Sequence, residues 1–494
     1  MEKHLPILQI IVPLLSAPLC VLVRTRQIVM AMTILVCWLT FGIATWLLFE
    51  TLNQGVIIYR LGNFPPTLGI ELRVDALSGF VLWFVAGIGA IVITYAPQSL
   101  RKEIPWEQHY LFCTMYLMCL TGLLGITITG DLFNLFVFLE VSSLSTYALI
   151  SLGKSRKALM AAFQYLVMGT IGSTFILIGI GLAYELTGSL NMVDLARLLE
   201  QITSEGSNRT ILVSFAFISV GVSLKMALFP LHLWLPNAYS QAPSVVTAFL
   251  AATATKVSVY VLLRVIFTIF KPGFAITTLH LDRGLMILSL IGIFVASATA
   301  IFQRDLKRML AYSSIAQIGY MVLAISLATS AGLTAGIVHL FNHALIKGGL
   351  FMAVGCFAMR LPSLHLDDLR GIGRRMPLTT FAWVLGGLGL IGVPLTAGFI
   401  SKWYLITAAF EANSGIVAAL VLLSSLLSLI YVWRFVEVAY FATPKDDSKL
   451  AEAPLTMLVP TYAVIIGTLI FGIWTTYSVG IAEQAARAVL GVAS

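Results

Sequence analysis

Fourteen apolar runs, each long enough to cross a bilayer as a helix, follow one another along this chain: 5–23, 28–50, 76–96, 109–127, 131–152, 158–187, 210–229, 243–270, 284–302, 306–328, 331–359, 377–410, 414–442 and 454–478. About 20 apolar residues in a helix cover the hydrocarbon thickness. No water reaches the backbone there, so each crossing must satisfy its own hydrogen bonds. The expectation is therefore an all-α polytopic membrane protein of about fourteen transmembrane helices, numbered here as spans 1 to 14. Composition agrees, with 59% hydrophobic and only 11% charged residues in 494.

Short cytoplasmic loops carry the excess of Lys and Arg. Placing the N-terminus outside puts sixteen basic residues in the inner loops, Lys445 and Lys449 among them, and eight outside, including Lys3. Both termini then face outward across a cell (inner or plasma) membrane, and the net charge of +8 reflects orientation rather than a nucleic-acid partner. Met1-Glu2-Lys3-His4 is a poor start for a cleavable signal, and the first run has the length of a span. The five cysteines, Cys20, Cys37, Cys113, Cys119 and Cys356, lie in apolar runs without paired spacing and read as small core residues. No phosphate loop, flavin or nicotinamide fingerprint or iron–sulfur cluster is present, so no cofactor is expected. Redox chemistry would belong to another subunit.

Loop 51–75 contains strand-like segments around 56–60 and 69–73, stretch 191–202 reads as a surface helix, and the basic stretch 360–376 is expected to lie across helix ends. Two spans carry a proline deep inside, Pro230 in span 7 and Pro394 in span 12. Proline removes a backbone donor and clashes with the preceding turn, so both spans are expected to be broken, which lipid tolerates only inside protein or beside water. Matching interruptions in two halves point to a repeat-built transporter. The chain divides into 1–108, with three N-terminal spans and an external loop, a first five-span repeat 109–270, a second repeat 284–442 and a C-terminal span within 443–494. An odd number of spans per repeat inverts the second copy.

A charge at the bilayer centre costs roughly 2.5–3.5 kcal/mol on insertion scales, which makes each such residue a functional candidate. Glu140 lies about two turns into span 5, Lys225 precedes Pro230, Lys256 follows on span 8, and Lys402 follows Pro394. Desolvation disfavours the charged form, so buried carboxyls and lysines can exchange protons where solvated ones do not. A Glu140–Lys225 ion pair would make that exchange switchable, although a purely structural pair is the alternative. His339, His343 and Lys347 recur every four residues and line one helix face beside Asn342. Their spacing suits a proton path better than a metal site, because a third ligand is missing. His232, between Pro230 and Pro236, either caps carbonyls of the broken helix or relays protons. Arg434 and Glu437 are expected to pair at i, i+3, and Arg264 to sit at the interface.

The run Thr129-Gly130-Asp131 through Glu140, Lys225 before Phe229-Pro230-Leu231-His232-Leu233-Trp234-Leu235-Pro236, Lys256, Arg304-Asp305-Leu306-Lys307-Arg308, the stripe His339 to Lys347, and Pro394 to Lys402 together resemble the antiporter-like subunit family. That family is shared by Mrp-type cation/proton antiporters, respiratory complex I and membrane-bound hydrogenases. The form around Asp131 and Glu140 is most similar to the D-type subunit of the Mrp antiporters or its relative in hydrogenase-type complexes. The resemblance implies two inverted five-helix repeats, broken helices 7 and 12, and a polar axis across the membrane plane. On that axis Glu140 and Lys225 form a pair, Lys256, His339, His343 and Lys347 relay, and Lys402 is the far exit. It also implies other membrane subunits as partners, with Na+ and H+ as the transported ions. The alternatives are a pumping subunit of an NADH dehydrogenase or hydrogenase, and a non-conducting scaffold.

Overall fold

The computed structural model describes residues 4–65, 69–206, 209–444 and 450–491, so Lys3, Lys445 and Lys449 lie outside the described residues. Twelve of the helices described are long and apolar enough to cross a membrane. The two remaining crossings are the proline-bearing ones, each built from half-helices: Arg209–Lys225 with Trp234–Gln241, and Pro377–Ile391 with Ala397–Glu411. At the first break Ala227 takes a positive φ of 61°, and at the second Gly392 and Leu395 take 90° and 73°. Left-handed backbone at non-glycine residues is costly, and its recurrence at both breaks marks them as structurally enforced.

The external loop holds an antiparallel pair, β1 (Ile57–Arg60) with β2 (Glu71–Val74), in register Ile57 to Val74. The expected surface helix is Met192–Glu205, whose first amides donate to the Asn191 side chain. The basic stretch forms two short turns, Leu366–Leu369 and Ile372–Arg375, and the Gly371 amide donates to the Val438 carbonyl at the end of span 13.

The end of the chain differs from the sequence reading. Span 14 stops at Ile473, and a separate helix, Thr476–Leu490, follows. It buries Ser478, Val479, Ala482, Ala485 and Ala486 in a helical stripe against spans 3 and 11. Its outward Glu483 and Arg487 make it too polar on one face to continue a crossing.

A duplicated clasp relates the two halves. Asp131 caps span 5 by accepting from the Asn134 amide, while Leu132 and Met192 exchange backbone bonds with Leu190 and Gly130 across the Asp131–Asn191 bridge. Asp305 caps span 10 in the same way through Arg308, and Leu306 and Leu366 exchange bonds with Leu364 and Arg304 across the Asp305–His365 bridge. Five crossings separate span 5 from span 10, so the same clasp closes opposite faces of the molecule. That is the arrangement of an inverted repeat.

Span 11 (Ser330–Arg360) runs through the centre, with its most apolar window wholly buried, and both broken spans contribute to its surroundings. The second break is tightly packed: a Cβ on Gly398 would lie 1.8 Å from the Gly389 carbonyl oxygen. Gly398→Ala is therefore expected to destabilise the protein by about 1–3 kcal/mol or more. A lower melting temperature and poorer recovery of monodisperse protein are the readouts.

Candidate functional site: a buried line of basic groups

Glu140 sits where span 5 (Leu132–Ser151) faces the end of the first half-helix of span 7. Lys225 is the last residue of that half-helix, a position where a cation offsets the exposed carbonyls. Its Nζ lies 3.4 Å from Glu140 Oε1 and donates to Ser143 Oγ at 2.7 Å. Ser173 donates to the same carboxylate oxygen from span 6. The pair expected between Glu140 and Lys225 is thus formed, and two serines share it.

Beyond Lys225 lies a small cavity of about 20 Å³ lined by Ser142, Ser143, Thr146, Thr255 and Ser258. That is room for one water molecule by the ~10–15 Å³ threshold. Hydroxyls both donate and accept, so this lining can pass a proton toward span 8.

Span 8 is itself interrupted, which the sequence reading missed. Helix Ser244–Ala252 ends, Thr253 departs from helical geometry at φ −123°, ψ −60°, and a second helix resumes at Ala254. Neither proline nor glycine marks the place. Lys256 Nζ donates to the Ala251 carbonyl released by the break, and Tyr239 Oη takes the Leu250 carbonyl at 3.2 Å. The break packs against span 11 beside Lys347: a Cβ on Gly348 would meet Ala252 Cβ at 3.5 Å.

Lys347 donates to the Leu310 carbonyl at 2.8 Å and to Ser313 Oγ. His343 and His339 stand one turn apart with rings parallel to within 2° and centroids 6.0 Å apart. Neither ring nitrogen of His343 has a hydrogen-bond partner among the described residues, whereas His339 Nδ1 lies 2.8 Å from Ser401 Oγ. The next residue, Lys402, donates to the Ile391 carbonyl at 2.8 Å and to Ser425 Oγ at 3.1 Å, and its Nζ is 5.1 Å from the Tyr320 ring centroid. Its stem passes over Gly392, where a Cβ would lie 3.0 Å from Cδ. Gly392→Ala should therefore shift the Lys402 ammonium off its carbonyls and strain a φ of 90°. A lower melting temperature is the expected result.

Among the described residues, Lys256, Lys347 and Lys402 have no carboxylate within ion-pair distance. Each is held instead by a backbone carbonyl and a hydroxyl. These groups solvate an ammonium in place of water, without a counter-charge.

His232 lies beside the first break, stacked on Phe229 with centroids 5.3 Å apart, and its Nδ1 has no partner among the described residues. Trp234, not His232, takes the Leu224 carbonyl at the break, with Nε1 at 3.1 Å. One expectation fails. Arg434 does not pair with Glu437 but donates to the Gln303 carbonyl at 3.3 Å, because a guanidinium is favoured at the C-terminus of the helix Leu281–Phe302. Arg264 is 8% exposed and pairs at 2.5 Å with Asp75, the residue that caps the start of span 3, a partner that no local spacing reveals. Among the described residues no group of three or more His, Cys, Asp or Glu is placed to hold a metal ion.

Residues 129–428 match the family described as "NADH:quinone oxidoreductase/Mrp antiporter, TM". The chain is 40% identical to the N-type subunit of the NADH-quinone oxidoreductase of Desulforudis audaxviator, covering 96% of each sequence. It is 30% identical to the D-type subunit of the Na(+)/H(+) antiporter of Alkalihalophilus pseudofirmus, over 90% of this chain and 89% of that one. In three dimensions it is similar to a chain of the membrane-bound sulfane sulfur reductase, an archaeal respiratory membrane complex, with a TM-score of 0.90 and 30% identity over 99% of this chain and 98% of that chain.

Proposed function

Because the chain belongs to the NADH:quinone oxidoreductase/Mrp antiporter transmembrane family, we propose that it conducts protons laterally from Glu140 to Lys402 as a membrane subunit of a monovalent cation/proton antiporter. It is an antiporter-like membrane subunit of the kind found in Mrp, complex I and related complexes. The observation that carries the conducting role is the succession of buried lysines, with Lys256, Lys347 and Lys402 each held by carbonyl and hydroxyl oxygens and, among the described residues, a carboxylate only at Lys225. A scaffold that conducts nothing would gain stability by losing these charges.

In this reading Glu140 holds Lys225 protonated. When the pair opens, the Lys225 proton passes through the hydroxyl-lined cavity to Lys256 and on to Lys347, His343 and His339, and from there to Lys402. Protons enter and leave at the two ends while sodium moves the other way through the assembled complex. Other membrane subunits are the partners, and both termini face outward from a cell membrane.

A second reading, a redox-driven pump, is favoured by the 40% identity to a membrane subunit of an NADH-quinone oxidoreductase. The two are separated by expressing the whole complex in antiporter-deficient cells and adding sodium to acidified inverted vesicles. Sodium-driven proton movement is the expected result. No sodium response, together with co-purifying flavin and iron–sulfur subunits, would replace the antiporter reading with the redox one.

A further inference from the structure

The inverted repeat places two matching vestibules at opposite faces of the molecule. One, of about 340 Å³, is bounded by Gly130 before span 5, by Met192 after the first clasp and by the end of span 8. The other, of about 530 Å³, is bounded by the equivalent Arg304 and Leu366 and by the end of span 13. In both, the closing span finishes in a wide π turn, Arg264–Ile269 in span 8 and Glu437–Phe441 in span 13. Such turns are rare and recur at functional sites. Each vestibule also has an arginine from that span at its inner edge, Arg264 in one and Arg434 in the other.

The two arginines occupy corresponding places on the proton line. Arg264 lies eight residues beyond Lys256 along unbroken helix, about 12 Å. Arg434 lies nine residues beyond Ser425, which holds the Lys402 ammonium, about 13 Å along span 13. Both guanidiniums are anchored: Arg264 by Asp75 at 2.5 Å and Tyr260 Oη at 2.9 Å, Arg434 by the Gln303 carbonyl. Cationic side chains outnumber acidic ones in each vestibule, Arg73, Arg264 and Lys271 against Asp75, and Arg304, Arg370 and Arg434 against Asp367 and Glu437.

We infer that Arg264 and Arg434 are paired electrostatic barriers that seal the proton line against the vestibule at either face. Arginine suits this task where lysine or histidine does not, because it stays protonated in proteins and cannot hand a proton on. A fixed guanidinium at a constriction repels cations and hydronium by the same physics that excludes protons from water pores. Without the two barriers, Lys256 and Lys402 would each communicate with solvent at the nearer vestibule, and the membrane would be short-circuited. The inference rests on the lateral line proposed above and adds what keeps that line from leaking.

The test is passive proton entry into proteoliposomes holding the assembled complex, driven by a potassium diffusion potential with no sodium gradient. Arg264→Gln and Arg434→Gln should each raise proton entry at least about tenfold over wild type. Asp75→Asn, which preserves the helix cap and the guanidinium, should remain as tight as wild type. Wild-type tightness in both glutamine variants would overturn the proposal. So would a leak in Asp75→Asn equal to that of Arg264→Gln, since the ion pair would then act as a mechanical latch. Arg434 bonds to a backbone carbonyl, so its variant provides the test if Arg264→Gln fails to assemble. A Glu140→Gln complex with normal coupled transport would refute the lateral line itself. An inactive Glu140→Gln complex beside tight arginine variants would refute only the barriers.

Discussion

Lys256→Met should abolish coupled proton movement and leave the assembled complex at least as stable as wild type. Lys256 has no solvent exposure, and its ammonium is bonded only to the Ala251 carbonyl and Thr255 Oγ1 among the described residues. Methionine nearly matches the stem in length and brings no charge to desolvate. Replacing buried ionic groups with apolar residues of similar size is often neutral or stabilising by about 1–4 kcal/mol. Transport has no comparable tolerance, because span 8 lines the cavity at Lys225 and packs against span 11 beside Lys347. The expected pattern is a melting temperature equal to or above wild type with proton movement reduced more than about tenfold. A structural lysine would give the opposite pattern, retained transport and lost stability.

The second prediction concerns the Glu140–Lys225 pair, whose members are unequally buried: the lysine side chain is 3% exposed and the carboxylate 25%. Removing one partner of a buried pair is costly because the other charge is stranded, by about 3–5 kcal/mol when burial is complete. Glu140→Gln strands Lys225 in the more buried position, whereas Lys225→Ala leaves a carboxylate that is less enclosed by protein and keeps Ser173. Glu140→Gln should thus lower the melting temperature more than Lys225→Ala. The double variant Glu140→Gln/Lys225→Met should recover stability without recovering transport. Additive losses across the three proteins would show that the two residues do not act as a pair.

Sequence patterning disclosed the crossings and both proline breaks because those features are local: apolar runs, missing donors, helical spacing of His339, His343 and Lys347. The interruption at Thr253 was hidden because its cause is tertiary. Tyr239 from span 7 and Lys256 from the resumed helix donate to the Leu250 and Ala251 carbonyls, so no breaker residue is needed. The serines that hold the line, Ser173, Ser313, Ser401 and Ser425, are ordinary small residues in helical sequence and acquire meaning only from the carboxylate, ammonium or imidazole opposite. Adjacency was the one available signal, since Ser401 precedes Lys402 and Ser143 follows Glu140 by three residues. Asp75 with Arg264 lies further still from local reach, 189 residues apart in the chain. The terminal helix was obscured by the opposite effect, its apolar stripe merging with the end of span 14.

Sodium-driven proton movement in inverted vesicles carrying the fully assembled complex, measured for Glu140→Gln and Lys225→Ala beside wild type, bears most directly on the lateral proton line. Loss of nearly all movement in both variants, at wild-type levels of assembled complex, is the result predicted. Unchanged movement in both would contradict it.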